Sequence, residues 1–347
     1  MDNPLFLTEA LEQKFFAARL TAREIDMLKI RCETYQSLDK PDWSIGLIRA
    51  YSQYFGFLSA LKVKAALREA GDRGYLDVFK DKKISLIDFG AGSLGGTLGA
   101  VDYFNHLNPS IKLKDLTLID EDFTPCDWAQ KEFADFLPTS IQKFPSLPSR
   151  AKLESSIFLA VDVLNEIDRD EDSQVLKSVE NLLDQMTETS LFIFIEPAAK
   201  HINQRMLAWR DKLLAKSDRT YNLLLPCTHQ KACPALPKKE WCHEDRDYKG
   251  PSVYWNLVKT MGFRRHNLSF SMLVFGGQAS KFQSQHARVV SRQLHSKGRC
   301  DKWLCADGKL WKASLMNRHE KPENEAYFNS RRGHVLDCNS TGLIPND

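Results

Sequence analysis

Three cysteines and two histidines crowd one irregular stretch of this chain. In LLLPCTHQKACPALPKKEWCHEDRDY, Cys227, Cys233 and Cys242 stand with His229 and His243 beside them. Thiolates and imidazoles are ligands for soft metals, so the composition points to a metal centre. The cysteines are separated by five and eight residues, which excludes a zinc-ribbon knuckle. Irregular spacing with a distant fourth ligand suits a thiolate-bound iron–sulfur cluster at least as well as zinc. Residue chemistry leaves both metals open, and leaves the fourth ligand open among Cys305, Cys300, His229 and His243. A second chemistry lies upstream. IDFGAGSLGG sets Asp88, Gly90, Gly92 and Gly95 in D-x-G-x-G-x-x-G spacing. Glycines there let the backbone turn sharply and let a ligand approach without a Cβ in the way. Asp120, in the next apolar run, is placed to accept both ribose hydroxyls of a nucleoside ligand.

These residues need elements to hold them. Residues 1–76 read as helical: LTEALEQKFFAARL, AREIDMLKIRCETYQ and SIGLIRAYSQYFGFLSALKVKAALREAG repeat apolar residues at three- and four-residue intervals. The middle alternates strand and helix. ISLIDFG (84–90), DLTLIDED (115–122), SSIFLAVDVLNEI (155–167) and SLFIFIEP (190–197) are near-continuous apolar runs with helical stretches among them. That pattern predicts a parallel sheet covered on both faces. Residues 134–155, with their prolines and serines, read as a surface connection. After the cysteine stretch come a helix in SVYWNLVKTMGF and a strand in NLSFSMLVFGG (267–277). ARVVSRQL, DKWLCADG and KLWKASLM predict three short strands with turns at Ser296–Gly298 and Ala306–Gly308. The resulting division is 1–76 helical region, 77–280 α/β domain with a cysteine-rich insertion at 222–248, 281–335 β extension and 336–347 frayed tail.

Charge is divided unevenly. Residues 1–199 carry 22 Lys and Arg against 32 Asp and Glu, whereas residues 200–347 carry 26 against 13. Within Tyr248–His319 thirteen basic residues face only Asp301 and Asp307. A basic region beside an acidic half predicts a polyanion-binding face, with Arg264, Arg265, Arg288 and Arg292 as phosphate contacts. No apolar window is long enough to span a membrane. The first residues lack the basic and apolar regions of a signal peptide and carry early acids, so a cytoplasmic, bacterial protein is expected rather than one of the mitochondrial matrix. Eight cysteines in such a chain read as reduced thiols or metal ligands.

Asp88 at a strand end before the glycines resembles the first motif of class I methyltransferases, which bind S-adenosylmethionine; spacing alone fits a dinucleotide as well. In cytosine-5 RNA methyltransferases a catalytic Pro-Cys pair follows the fourth strand. Here the fourth strand ends in VDVLNEI and Pro226–Cys227 comes well after the fifth, which argues against that role. The cysteine stretch resembles another family. Pro226–Cys227 with His229, Cys233–Pro234 and Trp241–Cys242–His243 are similar to the Pro-Cys-x-His, Cys-Pro and Trp-Cys-His pattern of the Rsm-type mitochondrial small-subunit methyltransferase-like proteins and their bacterial relatives. AYSQYFGFLSALKVKAAL, VDVLNEI, Glu196–Pro197 and LCADG (304–308) extend the resemblance over roughly residues 45–335. GAGSLGGT is longer than that family's usual loop and lacks its proline.

The resemblance implies a class I methyltransferase (Rossmann-like) sheet with an N-terminal helical region, cysteine-rich insertion and small C-terminal β extension. It implies a 4Fe–4S cluster held by Cys227, Cys233, Cys242 and Cys305, and association with small-subunit ribosomal RNA in ribosome assembly or translation, with no DNA or membrane partner. Asp88, Gly90, Gly92, Gly95 and Asp120 would shape the S-adenosylmethionine site. No residue declares itself as a general base, and no Asp-Pro-Pro-Tyr motif is present. Two other readings stand beside this one: a non-catalytic RNA-binding assembly factor, and a zinc-stabilised methyltransferase with another substrate.

Overall fold

The computed structural model describes residues 4–34, 41–146, 154–167, 169–263 and 267–338. Arg264 and Arg265 lie outside the described residues, as does most of the expected tail.

The main sheet contains β1 (Lys83–Phe89), β2 (Lys112–Ile119), β3 (Ile141–Phe144), β4 (Ser156–Val161), β5 (Ser190–Pro197), β6 (Asn222–Leu225), β7 (Glu244–Arg246) and β8 (Leu268–Gly276). Its order is β3-β2-β1-β4-β5-β8-β6, with β7 also pairing to β8. The strands from β3 to β5 run parallel, and β8 runs antiparallel to β5, β6 and β7. This is the mixed, mainly parallel α/β sheet that the sequence predicts. The strand sequences dictate burial on both faces. Along β5, Leu191, Ile193 and Ile195 enter one core while Phe192 and Phe194 enter the other, and β4 and β8 divide in the same way. A period of two sorts an unbroken apolar run into two cores.

Helices cover both faces. α1 (Glu9–Phe15), α2 (Ala22–Glu33), α3 (Ile45–Tyr51), α4 (Phe57–Asp72) and α5 (Gly95–His106) come first. After them come α6 (Thr124–Glu132), α7 (Asp172–Leu183), α8 (Lys200–Leu214), α9 (Ser252–Thr260) and the short α10 (Glu325–Asn329). A π-helical turn, Ser52–Gly56, joins α3 to α4. α4 is buried almost all round, and its three buried charges each meet a partner from another element. Lys62 pairs with Asp162 at 2.7 Å, Lys64 with Asp102, and Glu69 with Arg246 at 2.7 Å. Asp102 also accepts from the Thr8 hydroxyl at 2.6 Å, which ties the N-terminal segment to the same spine.

The extension forms a second sheet of β9 (His286–Val289), β10 (Leu294–Ser296), β11 (Arg299–Ala306), β12 (Lys309–Met316) and β13 (Val335–Asp337) around its own small core. The β11–β12 hairpin turns on Asp307 and Gly308, both at positive φ, as a tight primed turn requires.

Three sequence expectations change. The 134–155 connection contains β3, whose half-exposed IQKF lacks the apolar run that marks an inner strand. The extension has five strands in place of three. The start of the expected tail is strand β13, with Leu336 and Cys338 buried.

Candidate functional site

The chain leaves β1 through Phe89-Gly90-Ala91-Gly92-Ser93-Leu94 and enters α5. It does so where strand order reverses between β1 and β4, the point at which open α/β sheets leave a crevice beyond the strand ends. Gly90, Gly92 and Leu94 all have positive φ. The glycines do different work. A Cβ on Gly90 would lie 2.6 Å from Val163 Cγ2, so this glycine lets the segment after β4 cross close above the loop. Gly92 has φ +46, and the nearest atom to a Cβ there is Gly90 O at 3.9 Å, so its outer face is open. Gly95 has a packing reason of its own. Its Cβ would lie 2.6 Å from Gly56 O, and that of Gly99 would lie 2.2 Å from Ala60 O. These two glycines allow α5 to pack backbone-to-backbone against the π-turn and α4.

Two acids hold the two ends of the turn. Asp88 is buried and accepts from the Thr97 hydroxyl at 2.6 Å and the Thr97 N–H at 3.1 Å, within the first turn of α5. Burial pushes its carboxyl up to about 7 against those bonds, and Asp120 adds to the rise. Asp120 accepts from Gly92 N–H at 2.8 Å and Asp122 N–H at 3.1 Å, while burial raises its carboxyl. Asp88, Gly90, Gly92 and Asp120 are therefore brought together. Sequence reasoning missed a third acid, Asp162, directly after β4. It holds φ +59 and accepts from Lys62 at 2.7 Å and from Ser59 at 2.9 Å. Glu196, at the end of β5, is fully buried and accepts from Leu164 N–H at 2.6 Å. VDVLNEI and Glu-Pro were visible in the sequence, but their partners come from α4 and the β4 loop.

The cysteine stretch is held by one face of α8. Asn203 donates to Cys242 O at 2.6 Å and accepts from Cys242 N–H at 3.1 Å. Leu207 packs on Cys233. Arg210, fully buried, donates to His229 O at 3.1 Å and Lys231 O at 2.9 Å, and Asp211 accepts from Cys233 N–H at 2.9 Å. Positions 203, 207 and 210 recur at helical spacing, so one face of α8 shapes the whole stretch.

β11 supplies the fourth thiol. Alternation along β11 buries Cys300, Lys302, Leu304 and Ala306 toward the extension's core and turns Cys305 the other way. Cys305 Sγ lies 3.6 Å from His229 Nε2, and Thr228 Oγ1 donates to Cys305 O at 3.4 Å. Burial drives the Cys305 thiol well above its usual range, and Cys227, Cys242 and Cys233 add to it. Burial raises Cys233 to about 11 and Cys242 to about 12. Cys300 instead accompanies Tyr327, whose hydroxyl donates to Cys300 O at 2.9 Å. Cys305 thus contacts His229 of the cysteine stretch and lies within electrostatic reach of Cys227, Cys233 and Cys242. All eight cysteines are free thiols. Among the described residues no three His, Cys, Asp or Glu side chains stand in a ready-made metal cage. By type, four thiols from the stretch and from β11 are the donors that a thiolate-held metal group uses.

The expected basic face changes. Arg288 is buried: it donates to Glu69 and Pro226 O, both at 3.0 Å, and pairs with Glu244. It docks the extension and is withdrawn from RNA, which corrects the expectation. Arg292 is exposed, with a 3.2 Å pair to Asp245. Burial lowers His229 and His243 to about 4, helped by Arg210 and Arg332 respectively, so both are neutral near pH 7.

A family model matches residues 63–336, from α4 to β13, under the description "Mitochondrial small ribosomal subunit Rsm22". The chain belongs to the Rsm22 family. The matched span holds the glycine loop, all four gathered cysteines and the buried Arg288 cluster. No curated protein matches the chain. Solved structures similar to it include an rRNA methylase from Streptococcus thermophilus, at 8% identity over 61% of this chain and 95% of that one, TM-score 0.34. Another is the N-methyltransferase NodS from Bradyrhizobium japonicum with S-adenosylhomocysteine, at 10% identity over 61% and 86%, TM-score 0.35. A third is the plantazolicin methyltransferase BpumL with the same ligand, at 13% identity over 78% and 95%, TM-score 0.35. No described helix of this Rsm22-family chain is long and apolar enough to cross a membrane.

Proposed function

We propose that this Rsm22-family protein is an S-adenosylmethionine-dependent methyltransferase that acts on small-subunit ribosomal RNA, in the cytoplasm, during ribosome assembly or translation. One observation carries the reading: the open face of Gly92, whose N–H Asp120 accepts, stands in the turn after Asp88 and β1, where strand order reverses in the sheet. Gly92 N–H and the adjoining turn would take the cofactor's polar parts. Asp120, which now caps that turn, would exchange its Gly92 bond for the ribose hydroxyls. Buried Asp88 would face the methionine part. The test is transfer of labelled methyl from S-adenosylmethionine to small-subunit RNA. Incorporation lost in Gly92→Val and Asp120→Ala supports the reading, and none in the wild-type protein removes it.

A second reading has its own support. The carboxylates nearest the cleft are engaged structurally: Asp162 by Lys62 and Ser59, Glu196 by Leu164 N–H. Two carboxylates beside the cleft are thus committed to the fold, which favours an RNA-binding assembly factor that retains the methyltransferase fold without its chemistry, although Glu166 in the same segment is half exposed and raised by desolvation to about 7. RNA binding without methyl transfer would select it.

The gathered thiols support a resident 4Fe–4S cluster on Cys227, Cys233, Cys242 and Cys305, with zinc as the alternative. When bound, such a group supplies thiolate bonds that tie the cysteine stretch to β11. The chain's part is to deliver the ligands: α8 fixes the stretch through Asn203 and Arg210, and the alternation of β11 turns Cys305 toward it.

A further inference from the structure

Two tryptophans flank the gathered cysteines, and both remain partly exposed. Trp241 precedes Cys242, and Trp303 lies two residues before Cys305 on the same face of β11. Each indole has a cation over it: Lys200 Nζ at 5.3 Å from the Trp241 ring and Lys238 Nζ at 5.6 Å from the Trp303 ring. A chain of contacts runs from the Trp241 ring to the backbone of Trp303. Trp241 stacks on His243 at 5.8 Å, Arg332 lies 3.5 Å from His243 Nδ1 and donates to Val290 O, and Val290 N–H donates to Trp303 O. Exposed lysines 231, 238, 239, 309 and 312 surround this face; the carboxylates among them are Asp307, Asp301 and Glu240.

Arg332 also lines a groove of about 490 Å³ between α4, β7 and the extension. Arg292 and Arg331 stand on its wall with side chains 70% and 69% exposed; Arg331 pairs with the exposed Asp247 at 2.8 Å, and Arg292 pairs through Nε with the buried Asp245 at 3.2 Å, a carboxylate that Arg332 and Ser269 also hold. The exposed Arg331–Asp247 pair adds little stability, so a phosphate replaces Asp247 at small cost, whereas Arg292 keeps Asp245 on its Nε and presents its terminal N–H groups to a phosphate.

We infer that Trp241 and Trp303 form a stacking platform for unpaired RNA bases, while Arg292 and Arg331 in the adjoining groove track the phosphate backbone. The inference rests on the RNA association proposed above and specifies its form as single-stranded. Aromatic faces accept any base, and flanking cations supply backbone affinity; that combination serves single strands, whereas a duplex keeps its bases stacked inside. A base entering on Trp241 displaces the flexible Lys200 tip, which then lies free to meet the neighbouring phosphate.

The test uses full-length protein purified anaerobically, with a fluorescent single-stranded RNA of mixed sequence and its duplex as probes. Trp241→Leu and Trp303→Leu should each weaken single-strand binding about ten- to a hundredfold and leave duplex binding unchanged. Trp241→Phe and Trp303→Phe should keep most single-strand affinity, because phenylalanine retains a π face of similar packing. Arg331→Gln should flatten the slope of log affinity against log salt for single strands by about 0.7, the share of one neutralised phosphate. If the Leu variants bind as the Phe variants do, or lose single strand and duplex equally, stacking is overturned and the indoles are merely structural. Wild-type protein that binds RNA with no effect of these variants rejects the platform alone. Wild-type protein that binds no RNA rejects the platform and the RNA reading together.

Discussion

Arg288 and Glu69 meet at 3.0 Å although 219 positions separate them in the chain. The pair joins β9 of the extension to α4, the spine of the main domain. Glu244 and Arg246 complete an alternating cluster of two acids and two arginines, with Arg288 and both acids almost wholly excluded from water. Removing one member leaves an uncompensated buried charge. Arg288→Ala is expected to cost about 3–5 kcal/mol, read by urea unfolding, and to speed proteolytic release of the extension. A loss under about 1 kcal/mol would mean water already reaches the cluster.

The glycines of the loop should separate by function. Gly95→Ala and Gly99→Ala force a Cβ against the backbone of Gly56 or Ala60 and should lower stability by about 1–3 kcal/mol. A Cβ at Gly92 meets no atom closer than 3.9 Å, so Gly92→Val carries mainly the left-handed backbone cost, at least about 1–2 kcal/mol for a β-branched residue, yet should abolish S-adenosylmethionine binding. Melting curves and titration calorimetry on the same three variants would separate the two effects. Binding retained by Gly92→Val would move the cofactor elsewhere.

Asp88 gives stability a pH dependence of known sign. Its folded carboxyl sits near 7 against an ordinary 3.8, so between those values the folded state holds a proton that the unfolded chain has released. Stability contributed by this group therefore falls as pH rises from about 4 to about 7, by at most roughly 1.4 kcal/mol per unit, and is flat above. Asp88→Asn, which can still accept from Thr97, should erase that slope. Parallel slopes for wild type and variant, measured by denaturant unfolding from pH 4.5 to 8, would show that Asp88 titrates normally.

Cysteine substitutions should divide into two groups. Cys227→Ser, Cys233→Ser, Cys242→Ser and Cys305→Ser should each lower bound iron and loosen the extension, because the bonds exist only when both elements are docked. Cys300→Ser, in the core beside Tyr327, and Cys126→Ser, buried beneath the sheet, should keep the metal. Anaerobic protein should absorb broadly near ~400 nm and carry about four irons per chain, as a cubane cluster requires. Colourless protein with one zinc would replace the cluster by zinc and leave the cross-link intact.

Local sequence determined the elements whose pattern lies within a few residues. SLFIFIEP is strand β5 to the residue, because an apolar run buried on both faces needs no information from elsewhere. The glycine loop, the helical spacing before it and the cysteine stretch were legible for the same reason. Strand β3 was not, since an edge strand of four half-exposed residues shows no apolar run and is recruited by its pairing with β2. The same limit governs charge. Arg288 sits in a basic run and reads there as a phosphate contact. Only folding brings Glu69 and Glu244 to it, and a charge enters the interior only where a partner from another element already waits. Gly95 reads as part of a ligand loop, yet the neighbour that requires a glycine there is the Gly56 backbone. Cys305 was joined to the cysteine stretch by resemblance alone. The odd-numbered face of β11 turns it there in space, because strand alternation becomes a direction only once the sheet has docked.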